Sequence, residues 1–230
     1  MKTSNRLLLG LLVVVFVAIG ATAMVLKAEF EKIDKGDPFY GYTLESPPPF
    51  RAVKLTGNYQ RLVQVQPSSE YAIRMDKHSK NGVTWDVSGD TLIVSFDFPT
   101  KPQPNFYYYY TIYRRSAGVY ITLPDLSSLT TQGITTKLTE WQQDSLQLAT
   151  QGNQRGVMLT KNQINRLSAT TTHGGLIFLE SDNAIAYAQV SVQDSSAFTV
   201  KYSAVDSLAL QMDSTASVEL PGALLDKVTL

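Results

Sequence analysis

A repeat of about twenty residues runs through the last third of the chain, and it limits the possible folds more than any single residue does. Four stretches align: Ile164-Asn-Arg-Leu167-Ser-Ala169, Ile185-Ala-Tyr-Ala188-Gln-Val190, Val205-Asp-Ser-Leu208-Ala-Leu210 and Leu225-Asp-Lys-Val228-Thr-Leu230. Their starts lie 21, 20 and 20 residues apart. A second set falls between them at Val157-Met-Leu159, Ile177-Phe-Leu179, Phe198-Thr-Val200 and Val218-Glu-Leu220, spaced by 20, 21 and 20. Self-similarity at this period implies stacked β-units, each burying its apolar face only against its neighbours.

Between the two runs of a unit lie turn formers: Thr170-Thr-Thr-His173-Gly-Gly175, Gln193-Asp-Ser-Ser196 and Asp213-Ser-Thr-Ala216. One unit thus predicts one rung, with like strands stacked ~4.8 Å apart. Leu167, Ala188, Leu208 and Val228 are expected to form one inward apolar column, and Ile177, Phe198 and Val218 a facing one. Leu146-Gln-Leu148 and the stretch from Leu126 to Leu138 fit as earlier, looser rungs, giving about five in all. The chain closes on Val228-Thr-Leu230, a strand edge that calls for shielding by the N-terminal β-part, for a short twisted edge, or for a second copy.

The 230 residues allow one sizeable domain plus accessory segments. Net charge is zero, so no basic excess exists to neutralise a phosphate backbone, and a nucleic-acid partner is not expected. Cysteine is absent, which removes disulfides, thiol nucleophiles and thiolate metal sites. With His78 and His173 as the only histidines, neither a histidine-rich metal centre nor any other cofactor is expected.

Residues 7–26, from Leu7 to Leu26, carry no charge. As a helix, twenty residues cover roughly 30 Å, the thickness of bilayer hydrocarbon. Lys2 and Arg6 precede the segment, which keeps residues 1–6 in the cytoplasm and exports the rest; Lys27, Lys32 and Lys35 on the other side weaken that signal. Ala21-Thr-Ala23 offers a signal-peptidase site, but the apolar run continues past it through Met24-Val25-Leu26, which favours an uncleaved anchor. Residues 27–49 read as a juxtamembrane tether, broken by Gly36-Asp-Pro38 and stiffened by Pro47-Pro-Pro49.

From Phe50 to residue 230 the pattern is β. Ala52-Val-Lys-Leu55, Leu62-Val-Gln-Val-Gln66 and Tyr71-Ala-Ile-Arg-Met75 read as separate strands. Val83 to Val87 and Thr91 to Phe96 form a hairpin across Ser88-Gly-Asp90, and Tyr107 to Tyr113 pairs with Val119 to Leu123. No stretch after the anchor shows capped helical periodicity. The fold class is therefore all-β: a β-solenoid, or β-helix-like domain, with ~20-residue rungs, preceded by one transmembrane helix.

With these residues in view, the chain resembles the auto-transporter adhesin head domain, also called the GIN domain. The likeness covers residues 50–230. It rests on Phe50-Arg-Ala-Val-Lys-Leu-Thr-Gly57, on Leu62-Val-Gln-Val-Gln-Pro67, on Val119-Tyr-Ile-Thr-Leu-Pro-Asp-Leu126 and on the rungs that follow. The resemblance implies a bacterial, exported, β-helix-like protein and lends no catalytic residue. The chain departs from that family's Gly-Ser-Gly turns, reading Gly174-Gly175, Ser195-Ser196 and Ser214-Thr215 instead.

Tyr107, Tyr108, Tyr109 and Tyr110 are the candidate binding residues, since tyrosine offers a rigid face with a polar tip for sugars or a partner. Strand alternation sends them to opposite faces, so the four cannot share one platform, and a two-sided cover strand is the plainer expectation. Asp194 and Asp213 sit at equivalent turns 19 residues apart, but the preceding turn carries Thr172 and His173, so Asx-turn chemistry is expected there rather than an acid pair. His173 lacks a Gly-x-Ser-x-Gly partner motif, and Glu180 and Asp182 bracket a corner. The expected function is a non-enzymatic, membrane-anchored, extracytoplasmic module that binds a cell-envelope glycan or protein. The alternatives are a polysaccharide-active enzyme on the same fold and a structural module that forms homo-oligomers through its C-terminal strand.

Overall fold

The computed structural model describes residues 3–32, 34, 36–77, 79–99, 116–152, 155–180, 182–201 and 203–229. The chain divides into two compact units, Met1–Gly41 and Tyr42–Leu230. The first is dominated by α1 (Thr3–Glu31), whose mean hydropathy reaches 2.7. It is long and apolar enough to cross a membrane or to serve as a signal sequence. Thr22 is tolerated within it because its hydroxyl donates to the Ala18 carbonyl at 2.8 Å. The helix runs past Leu26 to Glu31.

In the second unit all sixteen strands among the described residues join one large sheet. It begins earlier than expected. β1 (Tyr42–Glu45) pairs antiparallel with β3 (Ala72–Asp76), so the β-unit starts at Tyr42 and not at Phe50. Tyr42 holds this edge, donating its hydroxyl to the Ala117 carbonyl at 2.6 Å and meeting the Tyr120 ring edge-on at 5.4 Å. Burial pushes its phenol pKa up to about 12.

β2 (Ala52–Pro67) is one long strand where two were expected. Gly57 makes this possible. At φ +109° its α-carbon lies so close to β5 (Thr91–Asp97) that an added Cβ would sit 2.1 Å from the Phe96 carbonyl oxygen. Register shifts on either side of Tyr59 then let the same strand serve two stacks. β4 (Val83–Ser88) and β5 form the expected hairpin. β6 (Val119–Leu123) pairs with β2 and β3, while the hairpin partner expected at Tyr107 to Tyr113 lies outside the described residues.

The repeat region then alternates between two parallel ladders. The first runs β5, β2, β7 (Ser128–Thr139), β8 (Gln142–Gln151), β10 (Gln163–Thr172), β12 (Ala184–Val192), β14 (Ala204–Met212) and β16 (Val228–Thr229). The second runs β6, β2, β7, β9 (Gly156–Thr160), β11 (Leu176–Leu179), β13 (Ala197–Val200) and β15 (Ser217–Glu219). Each twenty-residue unit adds one strand to each ladder. The expected columns hold: Leu146, Leu167, Ala188, Leu208 and Val228 are successive partners, as are Val157, Ile177, Phe198 and Val218. Both columns contribute to one apolar core, with Trp141 as its largest fully buried side chain. Trp141 donates its indole N–H to the Val65 carbonyl at 3.2 Å, tying the first repeat to β2.

At three of the passages from the second ladder back to the first, one corner residue takes a positive φ: Glu140 (65°), Lys161 (57°) and Asp182 (65°). The asparagines that follow Lys161 and Asp182 each satisfy a backbone N–H freed at the corner of the rung before. Asn162 Oδ1 accepts from the Trp141 N–H at 3.0 Å, and Asn183 Oδ1 accepts from the Asn162 N–H at 3.1 Å and from its side-chain amide at 2.9 Å. Asn183 Nδ2 donates to the Leu159 and Glu180 carbonyls, each at 2.8 Å, and to Ser203 Oγ at 3.0 Å. The row is buried, Asn162 fully and Asn183 to 2 % exposure, so each lost bond would leave an unsatisfied group.

The C-terminal end differs from expectation in one respect. Leu225 to Lys227 do not open a strand. They lie in a 3-10 helix, Gly222–Lys227, that turns Leu224 into the core and leaves Leu225 exposed. Pro221 explains the break, since it can offer no N–H to continue the ladder. The N-terminal strands stack at the opposite end of the sheet from β16, so they cannot shield it. Among the described residues the edges there are short, three residues in β15 and two in β16.

Two substitutions test this core. Asn183→Ala should lower unfolding stability by about 3 kcal/mol, because it orphans several buried groups at once. Thr171→Val should be neutral or raise stability by up to about 1 kcal/mol, because the buried Thr171 hydroxyl has no hydrogen-bond partner. Denaturant unfolding followed by tryptophan fluorescence reads both.

Candidate functional site

Strand alternation buries every second residue of the first ladder and leaves the others as rows on its outer face. One row runs Ala52, Ser128, Gln147, Ser168, Gln189, Ala209 and Thr229. The next runs Lys54, Thr130, Ala149, Thr170, Ser191 and Gln211. A third, Ser145, Arg166, Tyr187 and Ser207, follows a local irregularity where Asp144 and Ser145, Asn165 and Arg166, and Ala186 and Tyr187 are exposed as consecutive pairs. Beside this irregularity lies a groove of about 580 Å³, lined by Ser128, Asp144, Gln147, Arg166, Tyr187 and Gln189 among others.

The groove's charges satisfy each other. Asp144 accepts from the Asn165 amide at 3.0 Å and from Arg166 at 3.5 Å. The Asn165 hydrogen bond, then the Arg166 charge, hold the Asp144 carboxyl below the usual carboxylate range. What remains is hydroxyls, carboxamides and the ring of Tyr187, which is 39 % exposed on the flank of the groove. This surface suits hydrogen bonding and ring stacking with a polar ligand. It holds one carboxylate, Asp144, where glycoside hydrolysis uses a pair.

The residues singled out from sequence fall elsewhere. Tyr107, Tyr108, Tyr109 and Tyr110 lie outside the described residues. Asp194 and Asp213 do meet on adjacent rungs, as a structural corner. Asp213 Oδ2 accepts from the Asp194 N–H at 2.7 Å, and Oδ1 accepts from the Thr215 N–H and hydroxyl, each at 2.8 Å. The Asp194 N–H, then the Thr215 groups, lower the Asp213 pKa below 3.8. His173 lies 3.7 Å from the Asp194 carboxylate.

This corner also accounts for the departure from glycine-rich turns. In earlier rungs it is a stack of Gly57, Gly133 and Gly152, where a Cβ on Gly133 would lie 2.9 Å from the Gly57 oxygen and one on Gly152 would lie 2.7 Å from the Gly133 nitrogen. Later rungs put His173, Asp194 and Ser195 in the same left-handed region, with φ of 55°, 53° and 59°. There the Asp213 and Thr215 side chains take up the turn's N–H groups.

No protein-family model matches the chain, and no curated protein matches it in sequence. Among solved structures it is similar to a putative adhesin from Bacteroides fragilis NCTC 9343, with a TM-score of 0.51 and 14% identity over 77% of this chain and 91% of that one. A putative adhesin from Parabacteroides merdae ATCC 43184 (TM-score 0.45, 13% identity, 77% of this chain, 79% of that one) also aligns. So does a putative lipid binding protein from Parabacteroides distasonis ATCC 8503 (TM-score 0.40, 10% identity, 78% and 96%). The first of these shares an adhesin-like fold with this chain.

The Asp213 corner predicts a pH dependence. Its folded pKa is depressed, so its contribution is present above the unfolded value of 3.8 and is lost as pH falls through the lower folded value. Asp213→Asn should therefore be less stable than the parent at pH 7, and the difference should shrink on titration below pH ~4. Parallel denaturation midpoints at both pH values measure it.

Proposed function

We propose that this chain is a membrane-held, extracytoplasmic, non-enzymatic binding module of the GIN kind, a β-solenoid whose first ladder presents its outer face to a component of the cell envelope. The observation that carries the reading is the set of polar rows on that face, one side chain per rung, gathered around the Tyr187 and Arg166 groove. A fixed ladder orders many weak polar contacts in advance, which lowers the entropy lost when an extended partner lies along it. The apolar run Leu7 to Leu26 within α1, preceded by Lys2 and Arg6, supports export of everything after it. The adhesin-like fold agrees with this reading.

Tyr187→Ala and Arg166→Glu should each leave folding intact, since both side chains are exposed. Each should cut retention of the full-length chain on isolated envelope material by about tenfold, as expected for loss of an anchoring contact. Unchanged retention in both variants would remove the face from consideration. For orientation, a periplasm-dependent enzyme fused after residue 230 should be active, and one fused at residue 1 silent.

Self-association is the second reading, favoured by the half-buried Val218, Leu220 and Val228 at the open last rung. Light scattering of the full chain in micelles, with and without Val228→Lys, separates it from the first.

A further inference from the structure

The outer rows carry a second periodicity. Gln147 and Gln189 occupy the same row on alternate rungs, with Ser168 on the rung between them and Ser128 on the rung before Gln147. Stacked strands are ~4.8 Å apart, so the two carboxamides recur every ~9.6 Å along the stacking direction, with a hydroxyl midway. Tyr187 stands in the neighbouring row, one rung from Arg166 and level with Gln189 on β12. The groove's two charges, Asp144 and Arg166, are paired with each other, leaving it without net charge.

A β-1,4-linked pyranose chain has matching geometry. Its sugars alternate by about half a turn, so the same edge returns once per disaccharide, close to two strand spacings. We propose that the outer face of the first ladder binds a neutral β-1,4-linked glycan laid along the stacking direction, one disaccharide per two rungs. Each second sugar meets a glutamine carboxamide, the intervening one meets a serine hydroxyl, and the Tyr187 ring packs on the C–H face of one pyranose. Chains with α-1,4 or β-1,3 linkages curve and lose this register after one or two sugars. The inference rests on the assignment of this face as the binding surface and adds the class and direction of the ligand.

Calorimetry on the full-length chain in micelles tests it with six defined probes: the hexamers and dimers of β-1,4-glucose and β-1,4-N-acetylglucosamine, and the hexamers of α-1,4-glucose and β-1,3-glucose. The expected result is that at least one β-1,4 hexamer binds about tenfold or more tighter than its own dimer and than either control hexamer, because contacts repeat along the rungs. The Gln147→Ala, Gln189→Ala double variant should lose that advantage while keeping the parent's unfolding midpoint. Equal binding of all linkages, or a double variant as good as the parent, overturns the proposal. If no β-1,4 hexamer binds but Tyr187→Ala still weakens retention on envelope material, the glycan class is wrong and the face stands. If retention is also unaffected, both fail.

Discussion

Parallel stacking sets the terms for this molecule. In a parallel ladder each strand takes its register from the strand beneath, so a one-residue slip within a strand would turn a whole inward row to solvent. Every corner must therefore return the chain to that register, absorbing the one-residue difference between 20- and 21-residue repeats, and satisfy the N–H and C=O groups it frees. The buried asparagines do this on one side, where Asn183 bonds the corner before it, its own corner and Ser203 of the next rung. Close backbone approach does it on the other, first through glycine upon glycine and then through the Asp213 carboxylate. The apolar columns supply most of the stabilisation, but they align only because the corners repeat.

The rows that were legible in the sequence are those that only a regular stack produces. Leu167, Ala188 and Leu208 share a column because spacing alone fixes it once the strands are parallel. Long-range partners were not legible. Nothing local shows that β2 runs on through Gly57, since the reason is the Phe96 carbonyl almost forty residues away. The asparagine row left a trace, Asn162 and Asn183 being 21 residues apart, yet asparagine before a strand reads first as an ordinary turn residue. The groove leaves a weaker mark in the sequence than the aromatic cluster at Tyr107 to Tyr110: the adjacent polar pairs Asp144-Ser145 and Asn165-Arg166 interrupt strict alternation at one position of the rung.

The same regularity that stabilises the core shapes its outer surface. Side chains that face away from the core inherit the rung spacing, so hydroxyls and carboxamides become rows that no single strand could display. Beside the irregularity at Asp144, Arg166 and Tyr187 an otherwise even face has a groove with one aromatic wall. Fold and proposed binding role thus share one origin, and a ligand with a matching repeat would read the ladder directly.

The central claim is that the outer row climbs one strand spacing per repeat. Because the chain has no cysteine, pairs of introduced cysteines can carry spin labels without competition. Labels at Ala52 paired in turn with Gln189, Ala209 and Thr229 are four, five and six rungs apart by register. Electron–electron dipolar spectroscopy should give distances rising in near-equal steps through about 19, 24 and 29 Å between the labelled backbones. Distances that stay level or fall along the series would contradict the stacked ladders and everything built on them.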